Sequence, residues 1–167
     1  MIFISHRGNI NNKKPKFENN PDYIAKAIKM GFDVEIDIRI KNDEIYLGHD
    51  YEQYKINEDF INKNKNNLWI HAKNDKALFF LSDNKNKYNF FWHENDKFTM
   101  TSKGYLWTHY KTNLNYFVSK TKVNNKTILN LPEMINLNDN FFIFNNNYIG
   151  ISSDNILFYK SYLDEKK

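Results

Sequence analysis

The sequence predicts an α/β domain on a largely parallel sheet, either a small barrel or an open sheet that approaches one. Three observations carry that expectation. Short runs rich in Ile, Phe and Trp recur along the chain and read as buried strands. The five histidines close such runs, in Ile4-Ser5-His6, Leu47-Gly48-His49, Trp69-Ile70-His71, Phe91-Trp92-His93 and Trp107-Thr108-His109. The first half of the chain also alternates strand-like with helix-like segments. A titratable residue at strand C-terminal ends matters because parallel α/β proteins build their chemistry there.

The first strand is expected over residues 2–5, followed by a polar loop at 9–20. A helix follows: Asn20 is a natural N-cap, Pro21 suits the first helical position and Asp22 suits the positive end. Ile24, Ala27 and Ile28 make one apolar face, and Gly31 is a C-terminal stop. Residues 32–40 alternate strictly, with Val34, Ile36, Ile38 and Ile40 on one side and Asp33, Glu35, Asp37 and Arg39 on the other. Asn42-Asp43 reads as a tight turn into a hairpin strand over 44–47. A strand over 68–72 precedes a helix over 75–82 that Asn74 can cap. Strands are expected at 88–92, 99–101, 105–108, 127–131 (ending at Pro132), 141–144 and 148–152. Residues 156–163 suit strand or helix.

Composition bounds the reading. The chain has 167 residues, enough for one domain over 1–167, and is 41% hydrophobic and 17% aromatic. Its formal charge is +4, but only Arg7 and Arg39 of its 24 basic residues are arginines, and the lysines are spread out. A nucleic-acid surface would concentrate basic residues, with arginine forks for phosphate, so no nucleic-acid partner is expected. The absence of cysteine excludes disulfides and thiolate metal sites. No run reaches the ~18 apolar residues of a spanning helix, and no basic segment with a cleavable apolar run precedes the first strand. A cytoplasmic location is the expectation.

The chemistry gathers in the first half. Glu35 and Asp37 leave the same face of one strand, about 6–7 Å apart along it. Two carboxylates so close call for a cation between them, such as Mg²⁺ or Ca²⁺; the bland alternative is an open face with Arg39 pairing Asp37. Arg7 offers a planar fork for phosphate oxygens, and His6 a group that exchanges protons near neutral pH.

In order, His6-Arg7-Gly8, Glu18-Asn19, Glu35-Ile36-Asp37 and Gly48-His49-Asp50 resemble the glycerophosphodiester phosphodiesterases, within the phosphatidylinositol-phospholipase-C-like phosphodiesterases. The resemblance covers roughly the first third of the chain, with a weaker echo of the last strand in Ile151-Ser152-Ser153-Asp154. It implies a (β/α)8 TIM-type barrel. At this length the barrel would be compact and incomplete, with reduced outer helices, since such barrels usually need at least about 200 residues. It also implies His6 and His49 as the acid–base pair, Glu35 and Asp37 as metal ligands, Arg7 and Lys73 on the phosphate, and Glu18 in support of Arg7 or the metal.

One departure stands out. Where the family carries a glutamate, this chain has His71, two positions before Lys73. Imidazole is a poorer ligand than carboxylate for Mg²⁺ or Ca²⁺ and a better one for Zn²⁺ or Mn²⁺. Either the metal differs, or Glu133 supplies the third carboxylate, or the metal is lost. His93 and His109 either face the pocket from the following strands or are polar tips on aromatic packing at the rim. The expected function is metal-assisted hydrolysis of a small phosphodiester. The alternatives are a metal-independent diesterase that forms a cyclic phosphate, and a degenerate barrel that only binds a phosphorylated ligand. A homodimer is one way for a shortened barrel to cover exposed aromatics.

Overall fold

The computed structural model describes residues 1–108, 126–134 and 148–165. His109 and the strand expected at 141–144 lie outside the described residues. The chain opens β1 (Ile2–His6), α1 (Pro21–Lys29), β2 (Asp33–Lys41), β3 (Glu44–Leu47), β4 (Tyr54–Ile56), α2 (Glu58–Asn64), β5 (Leu68–Ala72), α3 (Asp75–Asp83) and β6 (Phe90–Trp92). There follow β7 (Phe98–Met100), β8 (Leu106–Thr108), β9 (Thr127–Asn130), a 3-10 turn (Pro132–Met134), β10 (Gly150–Ser153) and α4 (Ile156–Asp164).

Among the described residues, ten strands form one sheet. Its centre is parallel, in the order β6-β5-β2-β1-β10-β9-β8. Three strands run antiparallel: β3 on the second half of β2, β4 on β3, and β7 on β8. The sheet is therefore mixed and curls into a half-barrel.

This corrects the expected (β/α)8 barrel. The hairpin strands β3 and β4 already interrupt the alternation, and helices connect the parallel strands only as far as β6. Beyond it, His93-Glu94-Asn95-Asp96-Lys97 carries no apolar stripe with helical spacing. The chain instead enters β7 and turns back through Gly104 (φ +77°) into β8. A helical outer layer never develops on that side among the described residues.

The alternation in β2 decides which side is which. Val34, Ile36 and Ile38 are fully buried on the convex face, against Ile24 and Ala27 of α1, Ala77 and Leu81 of α3, and Ile70 of β5. Each such side chain contributes on the order of 1.5–3 kcal/mol. The concave face holds a second cluster of Ile4, Trp69, Phe91, Trp107 and Ile128. Phe91 stacks on Trp107 at 4.7 Å, and Trp69 lies 5.8 Å from Trp107. These rings fill the base of the half-barrel. Trp69 thus shares a face with His71, whereas Trp92 packs against the convex core.

Local chemistry explains the helices. Asn20 accepts hydrogen bonds from the Asp22 and Tyr23 amides, Asn57 from Phe60, and Asn74 from Ala77. Asn42 and Asp43 both take positive φ (51° and 61°), the geometry of a two-residue hairpin turn between β2 and β3.

Candidate active site

Because β1, β2, β5 and β10 are neighbours and run in parallel, their C-terminal ends meet above the aromatic floor. A cavity of about 560 Å³ opens there, lined among others by His6, Arg7, Glu35, His49, His71, Lys73, His93, Asn130 and Asp154. Of the residues singled out in the sequence, His6, Arg7, Glu35, His49, His71 and Lys73 line it, Asp37 is buried behind it, and Glu133 is not among its lining.

Glu35 and Asp37 are 2% and 0% exposed, so the reading of an open charged strand face does not hold. Nor does Arg39 pair with Asp37: its Nη2 donates to the His49 carbonyl at 2.7 Å and pins the turn that carries that histidine. Asp37 is bound instead by Arg7, whose Nε lies 2.9 Å from Oδ2, and by Asn19, whose amide donates to the same oxygen at 2.9 Å. Asn19 Oδ1 in turn accepts from the Asp37 backbone amide. Arg7 Nη1 donates to Glu18, which also receives Asn9. Glu18 thus supports Arg7, one of the two roles the resemblance left open for it.

Arg7 itself takes φ +53°, a strained setting for a non-glycine residue, of order 1–3 kcal/mol. Its amide donates to the Glu35 carbonyl and to Glu35 Oε2. That pairing holds the backbone turn while Gly8 (φ +88°) lets Tyr23 and Ile24 approach closely.

The two outer histidines are each fixed through Nδ1. His6 Nδ1 lies 2.7 Å from Asp154 Oδ1, which leaves Nε2 3.8 Å from Glu35. His49 Nδ1 lies 2.7 Å from Asp50, and its Nε2 faces Lys73 Nζ at 3.2 Å. Their environments push them apart. Burial and Arg7 act to lower the His6 pKa, but Asp154 and Glu35 together raise it above 6.5. For His49, burial with the charges of Arg7 and Lys73 outweighs the pull of Asp37 and lowers it.

His71 completes the centre. Its Nδ1 lies 3.1 Å from Asp37 Oδ1 and 3.7 Å from Glu35 Oε1. Among the described residues, Glu35, Asp37 and His71 form the group able to hold a metal ion: one ligand atom of each lies within 4.8 Å of the others, and all three residues are buried. Asp37 Oδ1 is buried and receives no hydrogen bond, which suits a cation. Burial and then Asp37 raise the Glu35 pKa; the Arg7 guanidinium beside Asp37 holds its carboxyl well below the usual carboxylate range despite its burial.

Glu133 is placed elsewhere. Its carboxylate accepts from Ser153 Oγ at 3.0 and 3.1 Å and from the Asp154 amide at 2.7 Å. It anchors the end of β10, and so Asp154, and stands outside the ligand group.

Sequence reasoning missed the roles of Asp154, Asn19 and Asn9. Asp154 lies 148 positions from His6, and only the pairing of β10 beside β1 joins them. Asn19 was visible as part of Glu18-Asn19, yet its exchange of two hydrogen bonds with Asp37 has no local signal. Compared with protein-family models, with curated proteins and with solved structures, the chain finds no match in any of the three. No helix among the described residues is long and apolar enough to cross a membrane.

Proposed function

We propose that the chain hydrolyses a small phosphodiester, of the glycerophosphodiester kind, by two-histidine acid–base chemistry. One observation carries the reading. Two imidazoles, each tied through Nδ1 to a carboxylate, line one cavity with the cations Arg7 and Lys73 and with a buried group suited to a metal.

In this mechanism the phosphate sits against Arg7 and Lys73, and Arg7 is held from behind by Asp37 and Glu18. His49 Nε2 takes a proton from the attacking water as the new P–O bond forms. His6 returns a proton to the departing alkoxide as the ester P–O bond breaks, giving a phosphomonoester and an alcohol. Positioned proton transfer of this kind is worth about 10²–10⁴-fold. A divalent ion on Glu35, Asp37 and His71 would neutralise charge on the phosphoryl oxygens. The family resemblance implies Mg²⁺ or Ca²⁺, and the imidazole brings in Zn²⁺ or Mn²⁺.

A second reading is favoured by one feature. Arg7 already gives Asp37 a cation at 2.9 Å, which suits a metal-independent route in which a substrate hydroxyl attacks and forms a cyclic phosphate. Phosphorus NMR of glycerophosphodiesters incubated with the chain, with each of Mg²⁺, Ca²⁺, Mn²⁺ and Zn²⁺ and with chelator, separates the two. The proposal expects a monoester that chelator suppresses. A cyclic ester that chelator leaves untouched moves the assignment to the second reading. No turnover of glycerol, choline, ethanolamine or aryl diesters under any of these conditions overturns both.

A further inference from the structure

We infer that the centre of Glu35, Asp37 and His71 selects a transition ion of the Mn²⁺ or Zn²⁺ class over Mg²⁺ and Ca²⁺, with His71 Nδ1 as a direct ligand. The inference deepens the metal-assisted reading above and rests on it for any catalytic consequence.

The His71 ring is set for one role. Its Nε2 lies 2.8 Å from the His93 carbonyl oxygen. A carbonyl only accepts, so Nε2 carries the proton, and in the neutral ring Nδ1 carries the lone pair. That lone pair is the atom turned toward both carboxylates, at 3.1 and 3.7 Å. Facing two carboxylate oxygens, it needs a positive centre between them, either a proton on Nδ1 or the inferred metal ion. Stacking on Phe91, at 4.9 Å and 18° between planes, fixes the ring's orientation. A carbonyl behind a ligating imidazole is the usual means of fixing its tautomer.

The carboxylates are prepared in the same way. Asp37 Oδ2 is taken by Arg7 and Asn19, leaving the buried Oδ1. Glu35 Oε2 is engaged by the Arg7 amide, leaving Oε1 on the His71 side. Each residue therefore offers one atom. Ligands about 2.0–2.2 Å from a common ion lie about 3.0–3.5 Å apart when adjacent in its shell. The 3.1 Å spacing to Asp37 falls within that range, and the 3.7 Å spacing to Glu35 lies just above it.

Donor chemistry then decides the ion. Ca²⁺ takes six to eight oxygens and favours bidentate carboxylates, whereas Mg²⁺ takes oxygen almost exclusively. Here one of three ligands is nitrogen, and both carboxylates have an oxygen engaged elsewhere. Imidazole with carboxylate suits Mn²⁺ and Zn²⁺, and three protein ligands beside an open cavity leave positions for water or substrate.

The test is calorimetric titration of the chelator-stripped full chain with MnCl₂, ZnCl₂, MgCl₂ and CaCl₂, without substrate. Mn²⁺ and Zn²⁺ should each bind one per chain at least 100-fold tighter than Mg²⁺ or Ca²⁺. His71→Glu should shrink that gap to less than tenfold. His71→Gln, closer in size, should weaken Zn²⁺ at least 100-fold while the ion-free chain melts within a few degrees of the parent. Nitrogen-15 NMR should show Zn²⁺ shifting His71 Nδ1 while Nε2 stays protonated. Binding of Mg²⁺ or Ca²⁺ within tenfold of Mn²⁺, an unchanged preference in His71→Glu, or no binding of any ion overturns the inference. Binding is read without turnover, so an inactive chain that prefers Mn²⁺ or Zn²⁺ removes only the hydrolytic reading. Turnover with Mg²⁺ preferred removes only this one.

Discussion

Asp154 is the residue through which the site is most economically tested. It accepts from His6 Nδ1 and from the Asn9 amide, so it fixes both the tautomer and the tilt of the imidazole. Asn in its place presents an amide that can equally donate, and the tautomer is no longer defined. Asp154→Asn should therefore reduce turnover at least about tenfold, a loss within the range of positioned proton transfer. Its pH–rate profile should also shift, because the chief contact raising the His6 pKa is gone. An unchanged rate and profile would show that the Asp154 contact does not orient a working group. Arg7 makes a complementary case. Its Nε and Nη1 reach Asp37 and Glu18 as a planar fork, which a lysine cannot reproduce. None of these partnerships follows from sequence spacing. The types of residue were legible, because paired carboxylates, an arginine and strand-end histidines have few joint uses. Their hydrogen-bond partners were not, because contacts such as His6 with Asp154 arise only from strand order.

At the scale of elements, legibility tracked the strength of local signals. The helix at α1 was readable from Asn20, Pro21 and Gly31, and the β2–β3 hairpin from strict alternation and the Asn42-Asp43 turn. β4 and α2 went unread. β4 has three residues, and α2 buries only Ile61, so neither leaves a periodic trace. The caps Asn20 and Asn74 were legible ahead of apolar helical spacing, whereas Asn57, which caps α2, was not. One element joins local geometry to chemistry. The turn after β3 begins at Gly48, with φ +151°, where an added Cβ would run into the Tyr51 carbonyl oxygen. Gly48→Ala should displace His49 and lower turnover at least about tenfold. Gly31→Ala should leave turnover intact and cost about 1–2 kcal/mol for its positive φ alone, since nothing lies within 4 Å of the new methyl. Equal activity in the two variants would mean the turn does not position His49.

For the whole molecule, the site is a source of strain as well as of chemistry. Asp154 is held below the ordinary aspartate value, with its hydrogen bond and ion pair to His6 overcoming burial. Its contribution is therefore present above the unfolded value of about 3.9 and is lost as pH falls through the folded one. Glu35 runs the other way. Burial and Asp37 raise its pKa, so its contribution is present below the ordinary glutamate value of about 4.3 and is lost as pH rises. Denaturant unfolding of the chelator-treated chain should show Glu35→Gln more stable than the parent at pH 8, and without the parent's gain in stability when a divalent ion is added. A less stable variant at that pH would mean that Glu35 serves the fold and not an ion. The half-barrel itself was the least legible feature. The parallel centre could be read from the first βα units, but the switch to β7 and β8 depends on a polar stretch, 93–97, that simply fails to form a helix. A shortage of helices was legible from length; the half-open, mixed sheet that results was not.

The central claim is that His6 and His49 act together on one bound phosphodiester. It is tested most directly by the turnover of the parent, His6→Ala, His49→Ala and the double variant on the same diester, with circular dichroism confirming that each is folded. Groups that act as a unit are strongly non-additive. Each single variant should lose at least about 100-fold, and the double variant should be little worse than the poorer single one. Near-parental turnover in either folded single variant would contradict the account.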